Sequence, residues 1–246
     1  MTLAAEYNDW HQKVFDASPE GHDASSPWYK LVSEYLPSVE GRRVLEMACG
    51  RGGFSRLLAA RGARMFGADF SSIALQIARG KSAGAEAECG ARLQLAQADA
   101  QNLPYATSSF DLIVSCETIE HLPDPAAALR EMARVARPGG RLFLTTPNYF
   151  NLMGLYYIYA RTRNRTATPG ADQPFDRVFL FPQIRALLRN AGWRIVRSDG
   201  TVHQFPIRPG RDPIIVASLE ANRALRRILS PFAFHYFVMA ENAKAN

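Results

Sequence analysis

Short apolar runs and helical periods alternate from about residue 40 to residue 147. Arg43–Met47 reads as a short apolar strand closed by a Gly-rich turn, and Phe54, Leu57 and Leu58 then recur at helical spacing up to a stop at Gly62. Arg64–Asp69 is a second strand. Ser71 or Ser72 caps the helix after it, which puts Ile73, Ala74, Ile77 and Ala78 on one face. Arg92–Gln97 alternates as a third strand, and Phe110–Ser115 is a fourth. The unbroken Leu112, Ile113 and Val114 suit a parallel strand covered on both faces. Asp124-Pro125 opens a helix with Leu129, Met132, Ala133 and Ala136 inward; Gly139-Gly140 stops it, and Arg141–Thr146 is a fifth strand. Strands and helices alternating at this pace predict right-handed βαβ units, hence a doubly wound, mostly parallel α/β sheet.

The flanks read differently. Residues 1–25 are polar with scattered aromatics and no firm period. Ser26-Pro27 then opens a helix with Leu31, Tyr35 and Leu36 on its apolar face, ended by Pro37. After Pro147 the rhythm breaks: residues 148–176 hold an aromatic run, an arginine cluster (Arg161, Arg163, Arg165) and a Pro/Gly stretch, read as an insertion over the site. A helix over Pro182–Asn190, a Gly192 stop, a strand Trp193–Ser198, a basic helix around 214–229 and a last strand near Phe232–Ala240 follow. The expected organisation is one domain: an N-terminal helical segment (1–40), a cofactor-binding core (41–148), a lid or acceptor insertion (149–177) and a C-terminal completion of the sheet (178–246).

Composition narrows the setting. The 246 residues, 47% hydrophobic and 21% charged, suffice for a self-standing core. Residues 1–150 carry 15 basic and 17 acidic side chains, residues 151–246 carry 14 and 6, so the net +6 is a C-terminal part at +8 against a first part at −2. Cys49, Cys89 and Cys116 form no CxxC pair, which argues against a zinc site or a disulfide framework. The acidic, apolar-poor N-terminus does not read as a signal peptide, and no run approaches a membrane span, so a cytoplasmic setting is expected.

The strongest local signal is VLEMACGRGGF at 44–54, a strand running through glycines into a helix. Gly50 and Gly52 allow close backbone approach, and the free N–H groups of the helix start favour a carboxylate or phosphate. A dinucleotide fingerprint needs Gly or Ala where Ser55 stands, so it fails here. Glu46, at the strand's end, is awkward beside a pyrophosphate and suitable near an ammonium group. A ligand with both amine and carboxylate fits better, and S-adenosylmethionine (SAM) is one.

On these residues the chain resembles the class I SAM-dependent methyltransferases, with a motif style similar to ubiquinone-pathway O-methyltransferases, over about residues 40–148. The resemblance implies a Rossmann-like, seven-stranded sheet. It implies methyl transfer with S-adenosylhomocysteine as product. Glu46, Ala48, Gly50 and Gly52 match the family's acid-x-G-x-G-x-G, with Ala48 in place of the first glycine. Asp69 matches the acid that accepts the ribose hydroxyls, with Phe70 beside the adenine. Asp99 matches the acid facing the adenine amino group, with Ala100 offering its N–H. Ser115, Cys116 and Glu117 match the stretch lining the methionine portion. Alone, Asp69 and Asp99 also read as helix caps or surface acids, and Cys116 as a small buried residue.

An in-line methyl displacement mainly needs alignment, and a hydroxyl acceptor also needs a base. His121, in CETIEHLPDP, is the candidate, with Glu117 and Glu120 behind it and a loop-anchoring role as the alternative. The acceptor is expected to be a small molecule methylated at oxygen, with nitrogen or carbon as alternatives. Tyr149 and Tyr156 are candidate acceptor contacts; packing of Tyr156, Tyr157 and Tyr159 on the core is the plainer reading. Residues 149–165 are a candidate peripheral membrane contact. No metal is expected, since His121 and Asp124 make too small a ligand set. A nucleic-acid partner is not expected, because no RNA module or NPPY-like tetrad is present. A tRNA or other nucleic-acid methyltransferase, a non-catalytic SAM-binding protein and a nicotinamide-dependent oxidoreductase complete the alternatives. Nothing in the sequence assigns an oligomeric state.

Overall fold

The computed structural model describes residues 3–17, 25–83, 93–162, 173–205 and 214–243. Cys89, Arg92 and the arginines at 163 and 165 lie outside them.

Nine strands and nine α-helices are described. In chain order they are α1 (Leu3–Ala17), α2 (Pro27–Tyr35), β1 (Arg43–Met47), α3 (Gly53–Ala60), β2 (Arg64–Asp69), α4 (Ser72–Ala83), β3 (Leu93–Gln97), β4 (Phe110–Cys116) and α5 (Pro125–Val135). Then come β5 (Ala136–Pro147), α6 (Leu152–Thr162), α7 (Phe181–Asn190), β6 (Trp193–Thr201), β7 (Gln204–Phe205), β8 (Ile214–Ile215), α8 (Ala217–Ala221), α9 (Arg223–Leu229) and β9 (His235–Asn242). Seven strands form one sheet in the order β3-β2-β1-β4-β5-β9-β6, while β7 and β8 pair separately. Every pairing from β3 to β5 is parallel, and β9 is antiparallel to both neighbours, so β9 alone runs backwards in that sheet. Strand order reverses between β1 and β4, which opens a crevice at the C-terminal tips of the parallel strands.

Two buried clusters explain why the sheet is covered on both sides. Leu45, Met47, Ile113, Leu142 and Leu144 pack with Leu129, Met132, Ile184 and Leu188 of α5 and α7. Their strand neighbours Val44, Leu112, Val114 and Phe143 pack with Leu31, Val32, Phe54 and Leu58 of α2 and α3. Alternate residues thus feed opposite faces, which makes β4 apolar throughout.

The structure shifts several expected boundaries. α5 ends at Val135, not at Gly139-Gly140, and Ala136 is the first residue of β5, opposite Phe110. Pro138 disfavours helical backbone at Arg137, and the glycines form an irregularity between Phe110 and Leu112. A Cβ on Gly140 would lie 2.8 Å from the Arg137 carbonyl oxygen. The basic helix at 214–229 is broken: Ile214–Ile215 is a strand, and Asn222 interrupts the rest by accepting from the Ala224 and Leu225 N–H groups. Phe232 belongs to a 3-10 turn, and the last strand starts at His235. Residues 3–17, expected without a firm period, form α1. Their period is carried by Leu3, Tyr7, Trp10 and Val14, aromatics and aliphatics mixed at helical spacing.

At the tip of β1 the chain passes through three left-handed residues, Ala48 (φ 55), Gly50 (φ 51) and Gly52 (φ 70). The first carries a Cβ, which such backbone disfavours. Ala48→Gly is therefore expected to raise unfolding free energy by about 0.5–1 kcal/mol, the released strain exceeding the added freedom of the unfolded chain. Urea denaturation without ligand checks this, and a lower midpoint at unchanged m-value would contradict it.

Candidate active site

A cavity of about 430 Å³ occupies the crevice at the tips of β1, β2 and β4, within the range of ligand sites. Asp69, at the end of β2, is 5% exposed. Its Oδ2 accepts from the Gly50 N–H and its Oδ1 from the Ser71 N–H, both at 2.8 Å. Each oxygen keeps lone-pair capacity, and the residue lines the cavity. Ser71 in turn caps α4 by accepting from the Ala74 N–H at 3.1 Å.

The other expected cofactor contacts divide. Ala48, Gly50, Asp69, Phe70, Asp99, Ala100 and Cys116 all line this cavity. Asp99 Oδ1 accepts from the Gln101 backbone N–H at 2.8 Å, folding the loop beyond β3 on itself. Gly52 is the N-cap of α3 and is not on the wall. Glu46 is not on it either; it is 1% exposed beneath the loop and accepts from Tyr29 Oη at 3.0 Å and Ser55 Oγ at 2.5 Å. Burial raises its carboxyl to about 7, against the pull of those hydroxyls. Ser55, which breaks the dinucleotide fingerprint, is thus a partner of that acid. Burial also pushes the Cys116 thiol up, so it is no thiolate at neutral pH.

The opposite wall is acidic. Glu117, Glu120, His121, Asp176 and His235 all border the cavity. Glu117 has a left-handed backbone (φ 50), and its Oε2 lies 2.9 Å from His235 Nδ1. Glu120 is 1% exposed, and its Oε2 accepts from Thr146 Oγ1 at 2.8 Å. Burial and then the negative Glu117 push the Glu120 carboxyl well up. His121 Nδ1 is 2.7 Å from the Phe175 carbonyl oxygen, a pure acceptor, so Nδ1 carries the proton and Nε2 the lone pair. That Nε2 is 3.6 Å from Glu120 Oε1. Burial lowers the His121 pKa, opposed by the Phe175 carbonyl, Asp176 and Glu117.

Of the expected acceptor contacts, Tyr149 lines the cavity and Tyr156, half-buried on α6, does not. Sequence reasoning missed α1 and His235. Helix α1 lies over the crevice: Tyr7, Trp10 and His11 border it. Tyr7 Oη donates to the carbonyls of His121 (3.4 Å) and Phe175 (3.5 Å), and Asn8 Oδ1 accepts from Ser71 Oγ at 2.7 Å. Two consecutive α1 residues thus reach the acidic wall and the start of α4. Among the described residues no group of three or more His, Cys, Asp and Glu side chains could hold a metal ion, and no helix is long and apolar enough to cross a membrane.

Known proteins agree with this geometry. A family model described as a methyltransferase domain matches residues 45–144. The ubiquinone biosynthesis O-methyltransferase of Alkalilimnicola ehrlichii is 34% identical over 178 residues, 64% of this chain and 69% of that protein. The enzyme of the same name from Aeromonas salmonicida is 32% identical over 201 residues, 74% of this chain and 82% of the relative. Among solved structures, a SAM-dependent methyltransferase from Mesorhizobium loti superposes with a TM-score of 0.62 at 19% identity, covering 88% of this chain and 98% of its own. The left-handed loop, the acid at the tip of β2 and these relatives together place the chain in the class I SAM-dependent methyltransferase family.

Proposed function

We propose that the crevice holds SAM between the β1 loop, Asp69 and Asp99, and that the methyl acceptor is a small molecule presenting a hydroxyl. The fit rests on Asp69, whose oxygens each accept one backbone N–H and keep capacity for two ribose hydroxyls. Asp99 and the Ala100 N–H, on the same wall, would serve an adenine edge. Bound there, SAM supplies a methyl group on a positively charged sulfur. The Gly50 side of the loop would take the carboxylate, and Glu46, held by Tyr29 and Ser55, ties β1 to the two helices beneath it. Asp69→Asn replaces one acceptor oxygen with a donor facing the Gly50 or Ser71 N–H. It is expected to weaken SAM binding at least tenfold by calorimetry. Wild-type affinity would remove Asp69 from the site.

Oxygen is preferred as the methylated atom because the acidic wall carries a base with a fixed tautomer, and because the relatives above are named O-methyltransferases. His121 Nε2 takes the hydroxyl proton, and the imidazolium so formed faces Glu120 Oε1 at 3.6 Å and Asp176 at 3.9 Å. His235, held by Glu117 at 2.9 Å in the same cavity, supports a second reading with the base on β9. His121→Ala is expected to cut kcat about 100-fold or more with SAM affinity retained. If His235→Ala does so instead, the second reading holds. Because burial lowers the His121 pKa below its ordinary 6.5, more than half of the base is neutral at pH 6.5. Wild-type kcat should reach its plateau as pH rises and fall to half only at a pH below 6.5. A rate already halved at pH 7 would exclude this assignment.

A peripheral lipid contact is the second part of the proposal. Phe150, Leu152, Leu155 and Tyr159 are 42–63% exposed on one stretch, in the half of the chain that carries the positive charge. Sedimentation with anionic vesicles at low salt should carry the protein down, and Leu152→Glu/Leu155→Glu should leave it in solution. Absence of the wild type from the pellet would refute the contact.

A further inference from the structure

A carboxylate lying against the loop after β1 needs hydrogen-bond donors, and the loop has few to spare. The Cys49 N–H donates to the Ala68 carbonyl at 3.0 Å, the Gly50 N–H to Asp69 Oδ2 at 2.8 Å and the Gly52 N–H to the Cys49 carbonyl at 2.9 Å. Three of the loop's own donors are therefore engaged within the protein. Further donors must come from outside the loop, and the space over Gly50 shows from where. Chain neighbours aside, a Cβ on Gly50 would meet one atom among the described residues, His11 Cε1, at 4.0 Å.

Helix α1 delivers that ring through its period. Leu3, Tyr7, His11 and Val14 fall on one helix face, and all four border the cavity. Trp10 meets the imidazole edge-on, with ring centroids 4.7 Å apart. Asn8 fixes the height of the helix: its Oδ1 accepts from Ser71 Oγ at 2.7 Å and from the Ile73 N–H at 3.4 Å. Ser71 is also the residue whose N–H holds Asp69 Oδ1. One side chain, within a helical turn of His11, thus ties α1 to the acid at the tip of β2.

Cε1 is bonded to both ring nitrogens, so the edge of His11 turned toward Gly50 is the one that carries Nδ1 and Nε2. Neither nitrogen has a hydrogen-bond partner among the described residues, and both keep accessible surface. Burial lowers the His11 pKa; Asp69 on β2 raises it, and Arg51 in the loop lowers it again. A neutral imidazole still carries one N–H to donate.

We infer that His11 is a cofactor-binding residue that donates its ring N–H to the methionine carboxylate of SAM, so that α1 completes the donor site from above. The assignment rests on the reading of the crevice as a SAM site and supplies a donor that the loop lacks. Carboxylate is the part of SAM that suits this edge. The ammonium group offers an N–H no acceptor and would lie beside the Arg51 charge. The ribose hydroxyls are served by Asp69, on the other side of Gly50's N–H.

The test measures binding to the full chain by calorimetry, with SAM and with decarboxylated SAM, which lacks only the carboxylate. The wild type is expected to bind SAM at least tenfold more tightly. His11→Ala should weaken SAM about tenfold and decarboxylated SAM less than about twofold, because only SAM loses a hydrogen bond to a charged group. His11→Phe keeps a ring over Gly50 without a donor and should show the same split. Decarboxylated SAM bound as in the wild type also reports an intact fold. No wild-type preference for SAM, SAM affinity retained in either variant, or an equal loss for both ligands would overturn the assignment and leave the donor site in place. Failure of the wild type to bind either ligand would remove the donor site itself, and His11 with it.

Discussion

A carboxylate as buried as Asp69 needs partners, and the ones it has are backbone N–H groups from two different elements. Gly50 brings the loop after β1 and Ser71 brings the start of α4. The main chain of the same residue is also engaged, since the Ala98 N–H donates to the Asp69 carbonyl at 2.9 Å and ties in the tip of β3. Three strand tips are thus spaced by one residue. The left-handed backbone of Ala48 and Gly50 fits the same demand, because the loop must double back for the Gly50 N–H to meet Asp69.

The far side of the cavity follows a different economy of charge. Glu117, Glu120 and Asp176 surround His121, and so many acids in a partly dry space cannot all ionise freely. Two of them are anchored differently: Glu117 on His235, Glu120 on the Thr146 hydroxyl and, through its carbonyl, on the Arg177 N–H. Glu120, the most buried of the three, is driven toward its neutral form by burial and by Glu117. The surroundings of His121 therefore keep the resting ring neutral, while Asp176, Glu117 and the Phe175 carbonyl offset part of the burial cost of a transient positive charge there. That is the condition under which an imidazole removes a proton near neutral pH.

The parallel half of the fold was legible because its signals are local. Continuous apolar runs such as Leu112–Val114 and caps such as Asp124, whose side chain accepts from the Ala127 N–H, appear in the sequence as they act in the structure. The misplaced boundaries arose where a backbone constraint outranked the pattern, as at Pro138 after Ala136 and at Asn222, whose side chain starts a new helix. In the site, the acids at strand tips could be found because each ends an apolar run. Glu46 could be named from its position, but its place under the loop depends on Tyr29 and Ser55, 17 and 9 residues away. Helix α1 was overlooked because its inward face is largely aromatic and polar. That composition suits a wall facing a ligand cavity and blurs the apolar stripe that normally marks a helix.

His235 was out of reach for a topological reason. In a parallel strand the residue near the crevice is the last one; in β9, which runs backwards, it is the first. Strand direction is not written in the apolar pattern, so nothing marked the start of β9 as part of the site. The register shows what the reversal achieves. His235 pairs with Pro147 at the end of β5 on one side and with Thr201 at the end of β6 on the other. Two residues beyond those partners stand Tyr149, on the cavity wall, and His203, held by Glu220. A single reversed strand therefore gathers three strand ends at one point, beside the acidic wall. A shift of β9 by one residue would exchange its faces, moving His235 away from Glu117 and replacing the apolar side chains that face both cores.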